Sequence, residues 1–155
     1  MSKTKQIFVV GSSRSGTTMM GRILGNHKDV FTFNELHFFG TIWTNPSARE
    51  LSKEEQIDLL SRLLCIQEKG LFNQKHISDF NDKAKYILQQ NNFNALEVYE
   101  LFLNAITNEN EAYISCKQTP KNMYYLEEIL FHFPNAKVIN LVRDQRDVLL
   151  SQKNK

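Results

Sequence analysis

Residues 6–18 read Gln-Ile-Phe-Val-Val-Gly-Ser-Ser-Arg-Ser-Gly-Thr-Thr. Ile7 to Val10 is a short apolar run of β-branched and aromatic side chains, so Gln6 to Val10 reads as a strand. Gly16 then opens a helix over Thr17 to Leu24, and Val30 to Phe33 reads as a second strand. A strand, a helix and a strand joined this tightly form a βαβ unit with parallel strands. Gly11 and Gly16 enclose four residues between the first strand and the helix, the spacing of a P-loop. Glycine lets backbone N–H groups turn inward around an oxyanion, and the helix N-terminus adds partial positive charge. A plain strand-to-helix turn would also use glycine and one capping serine. This loop instead carries Ser12, Ser13, Ser15, Thr17 and Thr18 besides Arg14.

Further along, the middle of the chain is helical. Ser52 with Glu55 has the spacing of a capping box, and Ile57, Leu60 and Leu64 recur on one face until Lys69 and Gly70 end that helix. Asn94 with Glu97 offers a similar start before Val98, Leu101, Phe102, Ala105 and Ile106, and Asp79 to Gln90 is expected to form a helix between the two. Tyr113 to Cys116 reads as a third strand. Thr119-Pro120 then stands as N-cap and first residue of a helix that buries Met123, Leu126, Ile129, Leu130 and Phe133. Lys137 to Val142 is a fourth strand, and Asp144, with Asp147 at the capping-box position, starts a last helix that runs to Lys155. These elements predict a three-layer α/β, P-loop-like domain with a parallel central sheet flanked by helices. An α/β fold would ordinarily continue past Lys155, so residues 1–155 are expected to be a single, incomplete domain.

Composition bounds the function. The chain has 155 residues, 41% hydrophobic and 23% charged, an ordinary globular balance that excludes a disordered or fibrous protein. Nineteen Lys and Arg against seventeen Asp and Glu leave a net charge of +2, too weak a bias to argue for nucleic acid. No apolar run is long enough for a signal-peptide core or a membrane span, so a cytoplasmic protein is the expectation. Cys65 and Cys116 stand far apart outside any ligand spacing and read as buried free thiols. His27, His76 and His132 likewise lack partners at metal-ligand spacing, and no metal site is expected.

Ligands of open α/β sheets bind beyond the carboxyl ends of the strands. There the chain places Arg14 in the glycine loop, Glu35 and His37 after the second strand, Lys117 after the third and Arg143 after the fourth. Three cations, a carboxylate and a loop of hydroxyls on one edge suit an anionic ligand and a reacting hydroxyl. Thr17 occupies the position of the Walker A lysine, which argues against an ATPase or nucleotide kinase. No strand ends in an aspartate of Walker B type, so nucleotide binding is expected to need no divalent metal.

Two segments resemble the sulfotransferase family, whose members transfer a sulfuryl group from 3′-phosphoadenosine-5′-phosphosulfate (PAPS) to a hydroxyl or amine. Gly11-Ser-Ser-Arg-Ser-Gly-Thr-Thr-Met-Met20 is similar to the family's 5′-phosphosulfate loop in its arginine-containing form, as in tyrosylprotein and bacterial sulfotransferases. Phe133 to Ser151 is similar to the segment that binds the 3′-phosphate. Three positions depart from the family pattern. Gln145 and Lys28 stand in place of prolines, and Lys117-Gln118-Thr119-Pro120 holds its lysine one residue farther from threonine than the family's Lys-Thr-Pro element.

The resemblance implies that Ser13, Arg14, Ser15, Gly16, Thr17 and Thr18 bind the 5′-phosphosulfate and that Arg143 and Ser151 grip the 3′-phosphate. It also implies Glu35 as the base that takes the acceptor's proton, with His37, two residues on and of suitable unperturbed pKa, as the alternative base. Phe38, Phe39 and Trp43 are candidates to wall an apolar acceptor pocket, and packing into the core is their other reading. The acceptor and the oligomeric state are not legible. A PAP-binding remnant without catalysis and, more remotely, a P-loop nucleotide kinase are the competing functions.

Overall fold

The computed structural model describes residues 3–43, 49–89 and 92–153. Strand β1 (Lys5–Gly11) leads through the glycine loop to helix α1 (Thr17–Gly25) and strand β2 (Val30–Thr32). Helix α2 (Lys53–Lys69), a 3-10 segment (Gln74–Phe80), α3 (Asn81–Leu88) and α4 (Ala95–Glu109) lead to β3 (Ile114–Lys117). A second 3-10 segment (Pro120–Tyr125), α5 (Leu126–His132), β4 (Lys137–Leu141) and α6 (Gln145–Lys153) follow. Two of the three predicted capping boxes are present. Ser52 accepts from the Glu55 N–H and Asn94 from the Glu97 N–H, while each glutamate accepts the cap residue's own N–H. Each such cap is worth about 1 kcal/mol.

Three helix starts differ from the sequence reading. Residues 74–80 wind as a 3-10 segment, so the expected helix from Asp79 begins at Asn81, where Asn81 Oδ1 accepts from the Ser61 hydroxyl of α2 at 2.9 Å. Thr119 makes no side-chain cap, and Pro120 opens a 3-10 segment instead of an α-helix. At α6 Asp144 does accept the Arg146 N–H, but Asp147 faces Arg143 across 3.9 Å instead of closing a capping box. Gln90 and Lys155, the expected ends of two helices, lie outside the described residues.

All four strands run parallel in the order β2-β3-β1-β4. The βαβ unit is therefore real, but its two strands are not neighbours: β3 enters between β1 and β2. The crossover from β1 to β2 and that from β3 to β4 run in opposite directions, so right-handedness puts α1 and α5 on opposite faces of the sheet. The core lies on the α5 face. There Phe8 and Val10 of β1 join Phe33, Leu60 and Leu63 of α2, Phe102 of α4, Ile129 and Phe133. Val9, one residue out of phase, is buried on the other face, which α1 covers. Helix α1 sits so close that a Cβ on Gly21 would stand 3.0 Å from Gln118 Cγ and 3.2 Å from Thr32 Cγ2. Thr32 pins it by donating to the Gly21 carbonyl at 2.8 Å.

Cys65 and Cys116 are buried free thiols, as the sequence suggests, and burial raises the pKa of both. His27, His76 and His132 each stand beside a carboxylate: Asp29, Asp79 and Glu100 respectively. Among the described residues no cluster suited to a metal ion occurs, and no helix is long and apolar enough to cross a membrane.

Candidate active site

The glycine loop projects from the centre of the sheet because β1 lies between β3 and β4. Gly11 leaves the strand at φ +154° in a place where no side chain fits. A Cβ there would lie 2.5 Å from Ser15 Oγ and 2.6 Å from the Leu141 carbonyl oxygen of β4. Arg14 is held in the left-handed region at φ +69° and Gly16 at φ +100°. Turns of this kind direct successive N–H groups to one side, and the first N–H groups of α1, which have no intrahelical acceptors, follow immediately.

A second, longer segment brings up the carboxylate. Past β2 the chain keeps its pairing to β3 through the Phe33 N–H, which donates to the Cys116 carbonyl at 2.9 Å, and Asn34 is clasped at both its backbone and side chain by Gln67 of α2. Beyond it Phe38, Phe39 and Trp43 are buried to 7% exposure or less. Phe38 stacks on Tyr99 of α4 at 4.0 Å, and Phe39 and Trp43 meet edge to face at 5.5 Å. A buried aromatic of this size contributes roughly 1.5–3 kcal/mol, so the segment is anchored on both sides of Glu35 and His37. His37 itself is forced to φ +50°, a strained conformation for a residue with a side chain. The strain places its Nε2 3.4 Å from Glu35 Oε2, while the Thr18 hydroxyl donates to Glu35 Oε1 at 3.4 Å.

The third contribution comes from the far end of the chain. Arg14 Nε donates to Ser151 Oγ at 2.9 Å, and Arg143 Nη1 donates to the Arg14 carbonyl at 3.3 Å. Ser13, Arg14, Gly16, Thr17 and Thr18 thus meet Glu35, Arg143 and Ser151 around one open cavity of about 480 Å³. Those groups come from residues more than a hundred positions apart. A model of the Sulfotransferase family matches residues 6–155. The chain belongs to the sulfotransferase family.

The chain is also similar to an uncharacterized protein of Aquifex aeolicus (strain VF5), with 30% identity over 148 residues. That alignment covers 95% of this chain and 16% of the relative, so the chain spans only a small part of that protein's length.

Ser15 and His37 stand apart from the other expected site residues. The Ser15 side chain is tucked under the loop toward Gly11, with its Oγ buried and unpartnered, and Ser15 is not among the residues that line the cavity. His37 reaches the site only through Glu35. Phe38, Phe39 and Trp43 do not line this cavity. They are core residues, and Phe38 and Trp43 border a separate space of about 380 Å³ against α2.

Lys117 does not join the cationic edge. It is 1% exposed and points the other way along the sheet, where its Nζ donates to the Gln6 side-chain oxygen and to the Ser115 carbonyl at 3.2 Å. Burial holds its pKa well below the ordinary lysine value. The physical reason is strand alternation. Lys117 shares a face with Ser115, two residues back, and that face turns into the core under Phe8 and Phe133. Sequence reasoning also missed Met19, Arg22 and Pro120, which complete the cavity wall. Arg22 had a signal, since it lies one helical turn beyond Thr18.

Proposed function

We propose that this chain is the donor-binding and catalytic unit of a PAPS-dependent sulfotransferase that acts on a hydroxyl or amine acceptor. The observation that carries the reading is the chain of hydrogen bonds from Ser151 through Arg14 to Arg143, on a cavity that Glu35 also lines. A donor with two separated anionic groups needs two separated cations joined by a rigid loop, and the left-handed loop with its helix N-terminus adds N–H donors between them.

PAPS supplies a sulfuryl group whose bond to the bridging phosphate oxygen breaks as sulfur bonds to the acceptor. The transition state of such transfers is loose, so the protein contributes positioning and charge neutralisation. Arg14 and the loop N–H groups neutralise the charge that develops on the leaving side. Arg143 and Ser151 hold the 3′-phosphate. Because Arg14 donates to Ser151 Oγ, the serine keeps its own proton to donate. Glu35 takes the acceptor's proton, and Thr18 and His37 orient its two oxygens. Cationic side chains already neutralise the donor, so binding requires no divalent metal.

Calorimetry with PAP and AMP, in EDTA, tests this. A hydrogen bond to a charged group is worth roughly 1.5–3 kcal/mol, which corresponds to at least a tenfold preference for PAP. Arg143→Ala should erase that preference. Equal affinity of the native chain for PAP and AMP, or strict magnesium dependence with ATP as the better ligand, would refute the assignment.

A further inference from the structure

Arg22 is the one cation lining the cavity that the donor does not need. Arg14 donates to Ser151, and Arg143 donates to the Arg14 main chain, so both belong to the loop end of the cleft. Arg22 lies five residues into α1 from its first residue, Thr17, roughly 7.5 Å along the axis away from the loop. It follows Thr18 at i, i+4, and residues so spaced share a helix face. Thr18 in turn touches Glu35. The wall on that side of the cavity therefore carries Glu35, Thr18 and Arg22 in succession. Arg22 is exposed, and among the described residues it has no ion-pair or hydrogen-bond partner.

A cation in the last turn of a helix does offset the negative end of the macrodipole, and Arg22 occupies that turn. Any solvent-facing position in the turn would serve for that purpose. Facing into a cleft beside the base is a separate feature, and it has a chemical consequence. A guanidinium presents a planar fork of donors matched to a carboxylate, and here that fork waits one helical turn from the group that contacts Glu35. We infer that Arg22 selects the acceptor, and that the site takes a hydroxyl compound bearing a carboxylate within about one helical turn of the reacting oxygen. The inference rests on the sulfotransfer reading for the role of Glu35, but the contact at Arg22 is measurable without turnover.

The probes are 3-hydroxybenzoate and its neutral amide, which differ only in the charge offered to Arg22. Each is titrated into the full chain, with and without saturating PAP, and followed by NMR of the arginine side-chain N–H groups and by calorimetry. The acid should bind about tenfold or more tightly than the amide, as a charge-assisted pair predicts, and should shift the Arg22 Nε–H signal. Arg22→Gln should bring the two affinities together while PAP binds as before, and Arg22→Lys, which keeps the charge without the fork, should fall between. Equal affinity of the native chain for the two probes, including failure to bind either, overturns the inference. So does a preference that survives in Arg22→Gln. An Arg22-dependent preference in a chain that does not bind PAP would uphold the contact and refute the donor assignment.

Discussion

Replacing Lys117 with methionine tests both the electrostatics of the core and the limits of the site. Lys117 is 1% exposed, with its Nζ over the Phe8 ring at 4.2 Å and hydrogen-bonded to Gln6 and Ser115. None of these partners is a carboxylate. A desolvated cation–π contact is worth about 2 kcal/mol, whereas burying an ammonium costs several, so burial disfavours the charged form and lowers the pKa well below 10.5. Folding between the lowered value and 10.5 must then remove a proton that the unfolded chain holds, which costs up to about 1.4 kcal/mol for each unit of pH below 10.5. The lost hydrogen bonds are worth about 1 kcal/mol each, and Ser115 and Gln6 remain bonded to one another without the amine.

Lys117→Met removes that proton cost and should therefore raise stability at pH 7. The sign of the pH dependence follows from proton counts. Between the depressed folded value and 10.5 the unfolded chain binds one more proton, so native stability rises with pH, by up to about 1.4 kcal/mol per unit. It falls as pH drops toward the folded value. Urea denaturation of both proteins at pH 7, 8 and 9 measures this, and the variant should lack the slope. Parallel pH dependences would mean that Lys117 is charged in the fold and would refute the reasoning. PAP affinity should be the same in both, since Lys117 faces away from the cleft; a large loss in a folded variant would return the residue to the site.

Two further predictions concern the site itself. Glu35→Gln should leave PAP affinity unchanged and reduce turnover by about 10²–10⁴-fold, while His37→Gly, which relieves the φ of +50° but removes the ring, should cost less turnover and no PAP affinity; abolition by His37→Gly with a near-silent Glu35→Gln would make the histidine the base. Gly11→Ala would drive a Cβ to 2.6 Å from the Leu141 carbonyl, a backbone group that cannot step aside, so thermal denaturation should show a loss of about 1–3 kcal/mol together with weakened PAP binding, and a native-like melting temperature would count against the loop geometry.

Much of this protein is legible from short-range chemistry. Alternating and helical periodicities, the Ser52 and Asn94 capping boxes and the Gly11 to Gly16 spacing each depend on residues within a turn or two of one another, so the sequence alone determined four strands, the main helices and the loop that opens the cleft. The family likeness likewise rests on two contiguous segments. The tertiary structure alone decided the strand order, with β3 between β1 and β2, because burial and crossover handedness act over whole elements and leave no local trace. It also decided the direction of each side chain at the strand ends. Lys117 and Arg143 look alike in sequence, each a cation just past an apolar run, yet one is buried beneath Phe8 and the other reaches the loop around Arg14. Strand alternation assigns Lys117 to one face, but only the stacking of helices shows whether that face is core or cleft. The contact between Arg14 and Ser151 joins positions 137 apart, and a contact at such separation exists only once the sheet has brought both strand ends to the same edge.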